Sequence, residues 1–250
     1  MLQFDVTSDL LPPVGLKNGA KLMKDLVSAV KKNPFAAAAA EADVNGQSST
    51  EEIITTISKP FITAIVSLMQ NSAAEIVAHS DSPSEGHDNG DKLAVCVFAT
   101  NCLITLKTAA NQAISGDLNP SASSQFGDDF FKEEIDRVVD RLASCMAASA
   151  LKLSGLQPLV NRLSEDANAV LDDSTIQLSL NTFENLLNSG ADLLTSLPVR
   201  QLMIPPALSD QVRSVARERF MAKYELLCNN PKMKEFSQLK EPERIRTLIV

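Results

Sequence analysis

The run LAVCVFATNCLITL, Leu93–Leu106, restricts the fold of this chain more than any other stretch. It is fourteen residues without a charge, apolar on nearly every side at helical spacing. A helix lying on a protein surface keeps a polar face toward water, and this one has none to offer. It is also shorter than the ~20 residues a membrane-spanning helix needs. The run therefore predicts a core helix enclosed by other helices, with Asp91 as its cap and SGDLNPSASSQF as its end.

Periodic apolar positions elsewhere supply the enclosing helices. GLKNGAKLMKDLVSAVKKNPF places Leu16, Ala20, Met23, Leu26, Val27 and Val30 on one stripe, with Lys31 and Lys32 in the last turn and Pro34 beyond it. AAAAAEADVNGQ is a low-complexity connector. Ser49 and Glu52 form a capping box ahead of a run that Pro60 either kinks or restarts, with Ile62, Ile65, Val66, Met69 and Ala73 on its stripe. SDSPSEGHDNGD reads as an exposed acidic loop. DDFFKEEIDRVVDRLASCMAASALKLSG has acids early and Lys152 and Gly155 late, the polarity a helix dipole favours.

Further along, LQPLVNRLSEDANAVLDD reads as irregular or short helix, and STIQLSLNTFENLLNSGADLLTSL as helix with a break near Gly190. LMIPPALSD reads as a tight loop, and Ser209 as the cap of a helix reaching Cys228. Pro242 stands near the start of a short final helix. Neither an alternating strand nor a hairpin turn between strands is recognisable, and zero Trp, one Tyr and nine Gly agree with a helix-rich chain. The expected fold is all-α, with about seven or eight helices. Residues 1–48 form an N-terminal helix and connector, and 49–250 a helical-bundle body with a boundary near 115–125.

A net charge of -8 argues against general nucleic-acid binding, which draws its affinity from clustered Lys and Arg. The charge is uneven. Residues 199–250 hold ten basic and six acidic side chains, +4, whereas the first 198 hold 13 against 25, -12. Cys96, Cys102, Cys145 and Cys228 are widely spaced with no CxxC pair, which reads as reduced thiols of a cytosolic protein. The opening MLQFDVTSDLLPP lacks the basic and apolar regions of a signal peptide.

Chemistry is mostly missing. The two histidines, His79 and His87, fall at or in the acidic loop, where Asp81, Glu85 and Asp88 are further ligand types. Against a calcium-loop template starting at Asp81, Gly86 fits, but Pro83 takes a ligand position and Lys92 replaces the bidentate Glu, so a solvated loop is expected. No GxSxG elbow and no glycine-rich phosphate cradle exist. Asp128 with Asp129, and Glu133 with Glu134, point apart on a helix and suit a dipole-compensating first turn better than acid–base work. No catalytic residue, cofactor site, metal site or small-molecule substrate is assigned.

The helix from Ser209 to Cys228 draws the remaining interest. Val212, Ala216, Phe220, Tyr224 and Leu227 form a stripe too apolar to be left in water, which reads as a bundle wall. Arg213 and Arg217 lie one turn apart beside it, with Arg219 and Lys223 on another flank. These four are the candidate surface for an acidic partner or anionic membrane.

The succession DLLPPVGLKNGAKLMKDLVSAV, ISKPFITAIVSLMQNSAAEIV, AVCVFATNCLITLKTAA, IDRVVDRLASCMAASALKLSGL, LMIPPALSDQVRSVARERFMAKYELLCNNP and KEPERIRTLIV resembles the C-terminal part of the sixth subunit of the conserved oligomeric Golgi complex. The resemblance implies an elongated stack of helical bundles and a non-catalytic scaffold of a Golgi vesicle tether, acting in intra-Golgi retrograde transport. It implies other tether subunits and membrane-fusion proteins as partners, with the protein peripheral on the cytosolic face of the Golgi membrane. Family members carry a long N-terminal half with coiled-coil segments, which this sequence does not contain. The alternatives are an unrelated cytosolic helical-bundle adaptor, and an enzyme using the acidic loop around His87.

Overall fold

A computed structural model describes residues 88–115, 120–166, 169 and 171–249, with thirteen scattered positions between Pro12 and Ser67. Seven α-helices and one 3-10 turn have described bounds, further described residues between 16 and 67 are helical, and none of the described residues is in a strand. The seven helices are α1 (Asp88–Ser115), α2 (Pro120–Leu153), α3 (Gln157–Glu165), α4 (Asp173–Asn188), α5 (Leu197–Arg200), α6 (Pro206–Asn229) and α7 (Pro242–Leu248), with the 3-10 turn at Met233–Glu235 before α7. The all-α expectation holds. The chain forms two compact units: Met1–Glu85 with Val95–Val138, and Gly86–Ala94 with Val139–Val250.

In the first unit, α1 is enclosed as its composition demands. Val95, Cys96, Val97, Phe98, Cys102, Leu103 and Leu106 are buried, and so are Thr100 and Asn101. Thr100 survives there because its hydroxyl donates to the Cys96 carbonyl one turn back, at 2.7 Å. By length and composition alone, Lys92–Ala109 could cross a membrane. Burial within the protein accounts for the same apolar run. Leu16 is buried in a helical segment while Lys21, Leu22 and Asp25 face out, as its periodicity predicts. The Ser49 cap, the Ala-rich connector and the loop histidines lie outside the described residues, and Pro60 is helical and exposed.

Three boundaries differ from the expected ones. Helix α1 starts at Asp88, so Asp91 is inside its first turn and is not a cap. Helix α2 starts at Pro120, whose fixed φ suits a first helical position. Asp128 and Asp129 are therefore in its third turn, and their role in a first turn fails. Helix α6 starts at Pro206 with Pro205 as its cap. Ser209 is already helical, its N–H donating to the Pro205 carbonyl at 3.0 Å. Two successive prolines set the start before a serine cap could.

The second unit is built around α6. It packs on α3, on α7 and on the 3-10 turn, and α3 packs on α4. The expected stripe Val212, Ala216, Phe220, Tyr224 and Leu227 is buried, joined by Met221. Phe183 from α4 meets Phe220 at 6.3 Å and Tyr224 at 5.6 Å between ring centroids, in tilted geometries favoured by the ring quadrupoles. The Tyr224 hydroxyl donates to the Lys240 carbonyl at 2.7 Å, so the ring can be buried without stranding its polar end.

Local chemistry ends and starts the other elements. Helix α2 closes with Gly155 at φ 72°, where the Leu156 N–H donates to the Leu151 carbonyl and the Gly155 N–H to the Lys152 carbonyl. This is a Schellman turn, with buried Leu151 and Leu156 completing its apolar contact. Asp172 caps α4 by accepting from the Thr175 N–H at 3.1 Å. Its hydrogen bond from Ser174, first, and that from Thr175 hold its carboxyl below the usual range. Gly190 breaks the chain after α4 at φ 67°, as the sequence predicts. Lys232 and Lys240 then tie the C-terminal segment to α4 through Asp173 at 2.5 Å and Glu184 at 3.1 Å.

Candidate functional site

The four cations singled out on α6 fall on two flanks of that helix. Residues 213 and 217 share one flank, being four apart, and 219 and 223 share another. Arg213 points to the turn before α5: Nη2 donates to Thr195 Oγ1 at 2.5 Å and pairs with Asp192 at 3.4 Å. Asp192 is held for that task, since it also accepts from the Leu194 N–H at 2.9 Å and from the Thr195 hydroxyl. On the other flank, Arg219 binds α2. Nη1 donates to the Asp140 carbonyl at 2.7 Å and to the Ser144 hydroxyl, and Nη2 pairs with the Asp140 carboxylate. Lys223 is exposed, with Nζ 3.4 Å from the Ser164 hydroxyl on α3.

Arg217 differs from the rest. It is half-buried, its Nε is enclosed, and it has no hydrogen-bond or ion-pair partner among the described residues. The acids next along the helix serve another cation. Glu218 and Glu225 take Arg246 of α7, at 4.0 and 3.2 Å, and Glu243 joins them at 3.5 Å.

A surface that periodicity did not single out adjoins this helix. Leu202–Leu208 contains no polar side chain, and within it Met203, Pro205, Pro206 and Ala207 are exposed. The signal was the unbroken apolar composition of LMIPPAL between Gln201 and Ser209. A tight loop of that composition reads equally well as buried.

Cys102, Cys228 and Tyr224 are not poised for covalent chemistry. All four cysteines are free thiols. Burial pushes Cys102 from 9.0 up to about 12, and burial, first, also raises Cys228. Burial is likewise the main cause raising Tyr224, with Cys228 adding to it. These groups are held protonated, the opposite of an activated nucleophile. No three His, Cys, Asp or Glu side chains converge on a metal position among the described residues.

Fold and site together define an all-helical protein in which six of the nine described ion pairs join one segment of the second unit to another. The family model for Conserved Oligomeric Golgi complex subunit 6, C-terminal, matches residues 2–248. The chain belongs to that family, whose members are subunits of a Golgi tethering complex. Comparison with curated proteins and with solved structures finds no match.

Proposed function

We propose that the chain is a non-catalytic scaffold of the Golgi tethering complex, acting in intra-Golgi retrograde vesicle transport. The observation that carries this reading is the family match across residues 2–248 on an all-helical chain. In this role the chain binds other subunits of the tether, contacts membrane-fusion proteins, and sits peripherally on the cytosolic face of the Golgi membrane. Helix faces that remain accessible carry the binding. On α6 the candidates are Arg213, Arg217, Arg219 and Lys223, of which Arg217 and Lys223 lack an ionic partner among the described residues.

Affinity purification of the tagged chain from cells under mild salt, with mass spectrometry, tests the scaffold reading. Recovery of other tether subunits in constant proportion is expected. A monomer that recovers none of them overturns it. Reversing Arg217 and Lys223 together, Arg217→Glu with Lys223→Glu, is expected to weaken capture while the melting temperature holds. Unchanged capture removes α6 from the binding surface.

A further inference from the structure

Arg217 is the one arginine on α6 that the fold leaves unanswered among the described residues. Arg213 has Asp192 and Thr195, and Arg219 has Asp140 and Ser144. Arg217 has given up water around an enclosed Nε without gaining an acceptor. Only Nε is enclosed in this way, so the outer edge of the half-buried fork, Nη1 and Nη2, stays open to an acceptor from outside. Its planar fork suits a bidentate carboxylate better than a diffuse negative field.

The surroundings say what kind of counter-charge fits. Pro206, Asp210, Arg213 and Arg217 follow at i, i+4, i+7 and i+11 and so run along a single flank of α6. At its N-terminal end that flank meets the apolar segment Leu202–Ala207, where Met203 is 55% exposed and Pro205, Pro206 and Ala207 are exposed as well. Eleven residues at ~1.5 Å rise place Pro206 and Arg217 about 16 Å apart. Apolar and arginine anchors at such a separation are the usual strong points of a protein interface.

From these observations we infer that the flank docks a protein segment that lays apolar side chains on Met203–Ala207 and seats an Asp or Glu on Arg217. The inference rests on the reading of the chain as a tether subunit and names the chemistry of the partner it binds. A membrane fits less well. Asp210 lies on the flank, Asp192 is drawn to it by Arg213, and Glu218 follows Arg217 in the helix. Anionic headgroups would meet these carboxylates as well as the arginine, on a chain whose net charge is -8.

The test titrates the 250-residue chain with each purified remaining subunit of the tether. Arg217→Glu should weaken binding to one of them by about thirtyfold to a hundredfold, and Arg217→Lys by about tenfold, because lysine keeps the charge but not the fork. Exchanging the answering Asp or Glu of that subunit for Arg should restore binding to the Arg217→Glu chain. Arg217→Met should weaken binding while the melting temperature holds, since the charge has no partner among the described residues to lose. A clear fall in melting temperature would assign Arg217 to packing and overturn the inference. Wild-type affinity of Arg217→Glu for every subunit overturns the docking flank but leaves the subunit reading standing. Failure of the wild-type chain to bind any subunit overturns both. Vesicles of phosphatidylcholine, with and without phosphatidylserine, should not retain the chain. Retention on the anionic ones that Arg217→Glu abolishes would overturn the inference in favour of a membrane.

Discussion

The two glycines at positive φ provide a matched pair in which backbone strain and packing can be separated. Gly155 and Gly190 have nearly the same conformation, φ 72° and 67°. An alanine at either pays ~1–2 kcal/mol for the left-handed region, offset by ~0.4–1 kcal/mol from a stiffer unfolded chain. At Gly190 nothing lies within 4 Å of an added Cβ, so the net loss there should be about 1 kcal/mol. At Gly155 the new Cβ would stand 3.1 Å from both Cβ and Cγ2 of Thr182 on α4. Forcing that contact adds ~1–3 kcal/mol, for a total of about 2–4 kcal/mol. Urea unfolding followed by far-UV circular dichroism should show the larger midpoint loss for Gly155→Ala, with unchanged slope. Thr182→Ser, which removes Cγ2, should recover part of that loss in the Gly155→Ala background and little in the Gly190→Ala one. Equal midpoint losses for the two alanines would refute the close approach of the α2 terminus to α4.

Other outcomes follow from the cores and their ionisable groups. Phe220→Ala, which removes a buried ring touching Phe183, should cost about 3–5 kcal/mol. At ~2–4 °C per kcal/mol for a chain of this size, a melting scan should show a fall of roughly 6–20 °C, and Phe220→Leu a clearly smaller one. Cys102 should make the protein sensitive to alkali. Its folded pKa is raised by burial from 9.0 to about 12, so the native state keeps a proton that the unfolded state releases. That stability is fully present below about pH 9 and is lost as pH rises toward about 12. Cys102→Ala should flatten the decline of unfolding free energy over that window, and an undiminished slope would refute the assignment. In the native protein at neutral pH, Cys102 should also react with iodoacetamide more slowly than the half-buried Cys145 and Cys228.

Most of the secondary structure was legible because its causes are local. The stripe Val212, Ala216, Phe220, Tyr224 and Leu227 is buried as its spacing requires, and Leu93–Leu106 is enclosed because no side of it tolerates water. Glycine at 155 and 190 ended helices for a reason carried by one residue. The starts of α1, α2 and α6 were less legible. In each, the expected start (Asp91 and Ser209 as caps, Asp128 with Asp129 as a first turn) competed with residues upstream that can also begin a helix, and the earlier start won. Cooperative extension favours that outcome, since adding a turn to an existing helix costs less than nucleating one.

The division of the α6 cations could not be read from periodicity, and the reason is sequence distance. Helical spacing places Arg213 with Arg217 and Arg219 with Lys223, but it says nothing about what lies opposite. Arg213 is answered from 21 residues upstream at Asp192, and Arg219 from 79 residues upstream at Asp140. Both partners sit beyond a helix end or in another helix, and each becomes a neighbour only after α4, α5 and α2 are in place. In sequence the four cations therefore look equivalent, a basic patch in the one basic part of an acidic chain. Folding makes them unequal by neutralising two within the chain and leaving Lys223 in water beside a hydroxyl. Arg217 stands apart only after that accounting, as a half-buried charge with no internal partner among the described residues. A surface ion pair contributes little to stability, so pairing Arg217 would have gained the fold little. An arginine whose Nε alone is enclosed costs the fold little, and its open outer nitrogens on an exposed flank suit a carboxylate that arrives with another protein.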